Sequence, residues 1–281
     1  MNEKKCKKGM PVLSTATTVN VIRTFYMRTL DLNTASIYSG NLILVNRENP
    51  ISKRDNNYGA ALVSVNYNYP DILLDYVAAK ELSQILNSLD CNNGILPVSG
   101  FRTREEQKQI YSSSLIDNGK EFTEKYVALP DRSEHQTGLA IDLAENNGEY
   151  DFIRPHFPYT GICMEFRKKA IHYGFIERYP KGKEAITGIA QEPWHFRYVG
   201  YPHSEIMNLK NLSLEEYIQY LKNFPYNGKH LKFFNNEYTY EIFYISLLQL
   251  ENLSIELPQD IPYQISGNNI DGFIITLRKI K

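Results

Sequence analysis

The sequence predicts an α+β protein, a small antiparallel sheet flanked by helices and followed by a small β-rich C-terminal unit. Three patterns carry that expectation. Apolar residues Leu73, Leu74, Val77, Ala78, Leu82, Ile85, Leu86 and Leu89 recur at three- and four-residue spacing, the period of an amphipathic helix. Up to about residue 223, helical segments alternate with short apolar or aromatic runs that end in turn residues. Beyond Phe224-Pro225-Tyr226-Asn227-Gly228, only short alternating runs remain, at Tyr238 to Leu248, Leu253 to Leu257 and Gly272 to Leu277.

Taken in order, residues 1–40 are mixed and polar and read as an arm, 41–224 as the main domain and 225–281 as the β-rich unit. Ile72 to Leu89 is expected to be the first long helix. Ile95 to Val98 reads as a strand ended by Ser99-Gly100, and Thr103 with Glu106 forms a capping box for a helix to about Leu115. Arg102 then sits at a strand-to-helix corner. Leu139 to Leu143 reads as a strand just past Gly138, Cys163 to Tyr173 as a helix stopped by Gly174, and Trp194 to Val199 as an aromatic-rich strand. Ser213 with Glu216 caps a helix to about Lys222. The final strands are only partly polar on one face, so they are expected to pack against a neighbour. They carry none of the candidate chemistry, and a chain ending near Asn223 is expected to keep its site.

Composition narrows the function classes. The 281 residues include 42% hydrophobic ones, enough for a sizeable core, and 31 Lys+Arg are balanced by 32 Asp+Glu. No global positive field is available to hold a nucleic acid. Cys6, Cys91 and Cys163 are odd in number and lack CxxC spacing, which argues against a disulfide framework or a thiolate zinc site. No run of about 18 apolar residues is present to span a bilayer. Met1 to Lys8 resembles the charged start of an export signal, but Ser14, Thr15, Thr17, Thr18, Asn20 and Arg23 break the stretch that would be its hydrophobic segment.

Two short motifs carry the chemistry. His135 lies in Ser133-Glu134-His135-Gln136-Thr137-Gly138-Leu139-Ala140-Ile141-Asp142, and His195 lies in Glu192-Pro193-Trp194-His195. Two imidazoles and one carboxylate on adjacent strands make a three-ligand zinc site with the fourth position open, the arrangement of a catalytic metal. Gly138 allows the chain to turn so that His135 and Asp142 can face one ion. Glu192 and His195, three apart, would point to opposite faces of a straight strand. A bend at Pro193 would bring the Glu192 carboxylate beside the metal. His156, His172, His203 and His230 lack suitable neighbours and read as surface or packing residues. There is no GxSxG or SxxK with supporting motifs, so a serine-nucleophile hydrolase is not indicated.

The paired SxHxxGxAxD and ExxWH pattern, with Ser99-Gly100-Phe101-Arg102 upstream, resembles the VanY-type D-alanyl-D-alanine carboxypeptidases of the LAS metallopeptidases. The resemblance covers roughly residues 40 to 223 and is strongest to VanY of VanG-type glycopeptide-resistance clusters. It extends through Leu44 to Pro50, Gly174 to Tyr179 and His195 to Gly200. It implies an LAS-type zinc peptidase fold and one Zn²⁺ per chain, with His135, Asp142 and His195 as ligands and Glu192 as the catalytic base. Arg102 would face the substrate carbonyl or carboxylate, and Gln107, Ser133 and Trp194 would line the substrate pocket. The implied substrate is a peptidoglycan stem peptide or precursor ending in D-Ala-D-Ala, cleaved in glycopeptide resistance and cell-wall metabolism. Two other readings are a D,D-dipeptidase or dual-activity enzyme, and a wall-peptide binding module. The family favours the cell envelope, at the outer face of the cytoplasmic membrane, and contact with the membrane is expected only if an anchor is missing from this chain. The lack of an export or spanning segment favours the cytoplasm.

Overall fold

Four antiparallel sheets organise the residues that the computed structural model describes, 26–51, 61–89, 94–148, 151–249 and 254–281. Cys6, Cys91, Leu253 and the signal-like N-terminal stretch lie outside them. Among the described residues no helix is long and apolar enough to cross a membrane.

Strand β1 (Met27–Asp31) and a 3-10 turn at Thr34–Tyr38 come first. Next are β2 (Leu62–Asn66), β3 (Tyr69–Asp75) and α1 (Tyr76–Ser88). The period from Ile72 predicted helix throughout, but Leu73 and Leu74 pair with Ser64 and Val63 on β2. Asp75 then starts the helix, its carboxylate accepting from the Val77 and Ala78 amides at 2.9 and 3.3 Å. β4 (Ile95–Ser99), α2 (Arg104–Asp117) and α3 (Gly119–Tyr126) follow, with the Thr103–Glu106 capping box formed. The remainder of the main domain is β5 (Ala140–Glu145), α4 (Gly161–Ala170), β6 (Phe175–Tyr179), α5 (Glu184–Thr187), β7 (Glu192–Tyr198), α6 (His203–Lys210) and α7 (Leu214–Leu221). Gly174, at φ +86°, stops the helical run that ends in the 3-10 turn Ile171–Tyr173. The Ser213–Glu216 capping box opens α7 as expected.

The main sheet runs β4-β5-β7-β6. One face buries Ile141, Leu143 and Phe196 against Leu82 and Ile85 of α1 and Phe166 of α4. The last strands are β8 (Leu231–Phe234), β9 (Tyr238–Ser246), β10 (Ser254–Pro258), β11 (Tyr263–Gly267) and β12 (Gly272–Ile280). Four of them form a sheet in the order β11-β12-β9-β8, while β10 pairs instead with β1.

Both faces of that second sheet are covered. Ile242 and Ile274 join a core with Leu42, Leu44, Val199, Ile206, Leu214 and Leu221 of the main domain. Phe243, Ile245, Phe273 and Ile275 pack on the opposite side with Leu32, Ile37, Ile255 and Leu257. Residues 27–38 are therefore not the loose arm expected from their composition. They form an outer layer on the C-terminal sheet, fixed by pairing between segments more than 200 residues apart. The C-terminal sheet likewise shares its core with the main domain.

That shared core changes the outcome expected for truncation. A chain ending at Asn223 would uncover Leu42, Leu44, Ile206 and Leu214, each side chain costing roughly 1.5–3 kcal/mol to expose, against a total stability of about 5–15 kcal/mol. Such a chain is expected to lose cooperative thermal unfolding; a sharp melt near that of the full chain would refute the shared-core account. His203, buried on α6, bridges the Tyr217 hydroxyl of α7 at 2.8 Å and Thr276 Oγ1 of β12 at 3.0 Å. Burial pulls its imidazole down to about 3. The unfolded chain binds this proton first, so the stability is complete above the ordinary histidine pKa and is lost as pH falls from there toward 3. At pH 5 the loss from this residue is about 2 kcal/mol. Imidazole NMR should show no His203 titration near neutrality, and a midpoint near 6.5 would contradict the prediction.

Candidate active site

The central strands of the main sheet set the site. Asp142 on β5 stands directly opposite His195 on β7, so both side chains leave the sheet on one face while Ile141 and Phe196 enter the core on the other. His135 reaches the same point from the 3-10 turn Glu134–Thr137, which Gly138 ends at φ +75°. A Cβ on Gly138 would lie 2.8 Å from Leu62 Cδ2, so this turn requires both the left-handed backbone and the missing side chain.

Glu192 resolves the parity problem posed by its spacing. Glu177 pairs with Phe196 and Tyr179 with Glu192, so two steps along β6 correspond to four along β7. The extra residues form a bulge around Pro193 to His195, the form that the expected bend takes. Buried Arg167 holds it, its Nη2 donating to the Pro193 carbonyl at 2.7 Å. Glu192 Oε2 comes within 3.7 Å of His195 Nδ1.

Asp142 straddles the two imidazoles, with Oδ2 at 3.1 Å from His135 Nε2 and Oδ1 at 3.0 Å from His195 Nδ1. One ligand atom from each of the three buried residues falls within 4.8 Å of the others. His135 Nδ1 lies 2.7 Å from the Gly100 carbonyl, which can only accept, so Nδ1 carries the proton and the Nε2 lone pair faces the carboxylate. Two acceptors turned toward each other at this distance fit a cation between them. Two imidazole nitrogens and one carboxylate also make a donor set suited to a transition metal ion.

Charge and burial tune the surrounding groups. Burial pulls His135 down to about 4, helped by the Arg102 guanidinium. Burial also opposes the charge on His195, but Asp142, Glu134 and Glu192 outweigh it and hold the imidazole up at about 9. Burial raises Glu192 to about 8, with a further push from Asp142 that His195 and Arg102 only partly offset.

Arg102 lies at the corner between β4 and α2. It donates from Nη2 to Asp142 Oδ2 at 2.9 Å, from Nε to Ser99 Oγ at 2.8 Å and from Nη1 to Gln107 Oε1 at 3.4 Å. Gln107 is fixed in turn by donation from Nε2 to the Ala128 carbonyl at 2.8 Å.

A single cleft is lined by His135, Asp142, His195, Glu192, Arg102, Gln107, Ser133 and Trp194 together. Every residue singled out in the sequence thus reaches one place. Phe152, Ile153, Val127 and Ile189 add apolar walls, and Trp194 belongs to the core as well as to the wall.

The sequence reading assigned no role to Glu134, Arg178, Arg197 or Tyr179. Glu134 Oε1 accepts from Arg178 Nε and Arg197 Nη1, both at 2.8 Å, with all three side chains fully buried. Arg178 also grips Glu215 with both terminal nitrogens, at 2.9 and 2.6 Å. Tyr179 lays its ring 4.9 Å from that of His195. The available signal was the position of these residues inside the matched stretches.

The class that fold and site define is confirmed by comparison. The chain belongs to the VanY family of D-alanyl-D-alanine carboxypeptidases, whose family pattern matches residues 71–201. It is a peptidase of the group acting in vancomycin resistance, and that family is metal-dependent. Among particular relatives, the solved structure of the vancomycin-resistance D,D-dipeptidase VanXYg, in complex with a D-Ala-D-Ala phosphinate analogue, is 49% identical. It matches with a TM-score of 0.86 over 90% of this chain and 100% of that one. The bifunctional D-Ala-D-Ala dipeptidase and carboxypeptidase VanXYC of Enterococcus gallinarum is 40% identical over 181 residues, 64% of this chain and 94% of the relative. A D-alanyl-D-alanine carboxypeptidase of Enterococcus faecium is 36% identical over 259 residues, 86% of this chain and 76% of the relative.

The Gly138 turn gives a direct test of how the site is positioned. Gly138→Ala should lower stability by about 1–3 kcal/mol through its strained φ and the contact with Leu62. Denaturant unfolding measures it, and an unchanged midpoint would show that the turn accepts a side chain.

Proposed function

We propose that the chain is a Zn²⁺-dependent D-alanyl-D-alanine carboxypeptidase that removes the terminal D-Ala from peptidoglycan precursor stem peptides. The observation that carries this reading is the cross-strand Asp142–His195 pair, with His135 and Glu192 converging on it inside one cleft. A second reading, a dual-activity enzyme that also cleaves free D-Ala-D-Ala, is favoured by the match over the whole of VanXYg and most of VanXYC.

His135, Asp142 and His195 would hold one Zn²⁺ per chain. Bound there, the ion supplies Lewis acidity toward the scissile carbonyl oxygen and toward water. Glu192 takes a proton from the attacking water onto its carboxylate and returns it to the amine of the departing D-Ala. Its carboxylate, buried in the cleft wall and 3.7 Å from His195 Nδ1, stands beside the metal position. Arg102, held by Ser99 and Gln107, presents its guanidinium to the carbonyl oxygen or to the terminal carboxylate of the substrate. Gln107, Ser133 and Trp194 shape the cleft around the D-Ala residues.

Turnover of a pentapeptide and of free D-Ala-D-Ala, with and without a chelator, tests the reading. Chelation should abolish both activities and Zn²⁺ restore them, while chelator-resistant turnover would refute metal dependence. Pentapeptide cleavage alone marks a carboxypeptidase; comparable kcat/KM on both substrates marks the dual enzyme. Glu192→Gln should retain Zn²⁺ and lose several orders of magnitude in kcat, whereas Asp142→Ala should lose the metal itself by elemental analysis. Near-normal turnover of the first or full occupancy in the second would overturn the corresponding role. Arg102→Ala should cost about 2–4 kcal/mol in kcat/KM, and unchanged kinetics would make Arg102 a scaffold for Asp142.

A further inference from the structure

Buried side-chain nitrogen and oxygen atoms without a hydrogen-bond partner are few among the described residues: Arg28 Nε, Asn269 Oδ1, Glu134 Oε2 and His195 Nε2. The last two face each other at 3.6 Å. We infer that Glu134 is a positioning residue whose Oε2 accepts a hydrogen bond from the Nε2–H of His195, which keeps the Nδ1 lone pair of that ring turned toward the metal position. The inference rests on the proposed role of His195 as a metal ligand.

Three features support it. Glu134 Oε1 is already occupied by Arg178 Nε and Arg197 Nη1, which leaves Oε2 as the oxygen turned to the imidazole. The opposite ring nitrogen, Nδ1, is the one beside Asp142 Oδ1 at 3.0 Å and Glu192 Oε2 at 3.7 Å. Tyr179 packs across the ring with its centroid 4.9 Å away and limits other orientations. A metal-bound histidine characteristically donates its second N–H to a carboxylate or carbonyl, which fixes tautomer and ring angle. His135 already has such a partner in the Gly100 carbonyl. Glu134 supplies the matching partner for His195, and a slight turn of the ring closes the gap to roughly 2.9 Å. Arg178 and Arg197 offset the charge of this buried carboxylate, so it can serve as an acceptor in an apolar setting.

The test compares Zn²⁺ affinity, by titration against a competing chelator, for the wild-type chain, Glu134→Gln and Glu134→Asp, with thermal melting of each. The aspartate keeps the charge between the arginines and withdraws the oxygen by one methylene; the glutamine keeps the length and removes the charge. Both are expected to melt cooperatively and to bind Zn²⁺ about 10- to 100-fold more weakly. Folded variants with wild-type affinity would overturn the inference while leaving the metal site intact. A wild-type chain that takes up no Zn²⁺ would overturn the metal reading first, and this inference with it. Should neither variant fold, nitrogen-15 NMR of the Zn²⁺-loaded wild-type chain decides. A His195 proton on Nε2 supports the inference, and a proton on Nδ1 refutes it.

Discussion

A single buried carboxylate ties the catalytic sheet to the rest of the molecule. Glu134 sits between Arg178 on β6 and Arg197 on β7, all three without solvent contact, and each arginine carries the connection outward. Arg178 reaches Glu215 on α7, and Arg197 donates to the carbonyls of Asn41 and Ile43 at 2.9 Å. Desolvating so many charges is costly, and removing one partner from such a cluster typically costs 3–5 kcal/mol because the others are left buried and unpaired. The cluster therefore tolerates few alternative packings. Segment 41–45, strands β6 and β7, helix α7 and the turn that carries His135 must all be in place together.

The same segment meets the C-terminal sheet. Asn269 donates through its amide nitrogen to the carbonyls of Leu44 and Pro50, and the Leu44 amide donates to the Asn268 carbonyl at 3.1 Å. Leu42 and Leu44 at the same time enter the core that holds Ile242 and Ile274. The strands past residue 225 provide none of the residues of the cleft, yet they pack against the backbone that Arg197 grips from the other side. They belong to the support of the catalytic unit.

Much of the site could be read in the sequence because its chemistry is local. Thr103 with Glu106 and Ser213 with Glu216 are capping boxes that depend on four residues each, and Gly138 and Gly174 take the left-handed conformations their positions implied. Residue types in two short motifs were enough to select His135, Asp142, Glu192 and His195. Features set by distant pairing were less legible. Leu73 and Leu74 fit a helical period as well as a strand, and only β2 decides between them. The partner of β1 lies at the far end of the chain. Glu134 looks in sequence like any acid beside a histidine; its burial depends on two arginines more than 40 residues away.

The bulge at Pro193 to His195 bears on how such an enzyme can diversify. Glu192 and His195 share one strand, and their convergence depends on a fixed excess of residues between two ladder pairs. Deleting or inserting one residue there would turn the acid away from the histidine, so the strand is closed to length variation. Phe152, Ile153 and Ile189 stand outside the strands and helices, and changes in loop length there leave the ladder untouched. The cleft walls can therefore vary while Glu192 and His195 remain locked in register.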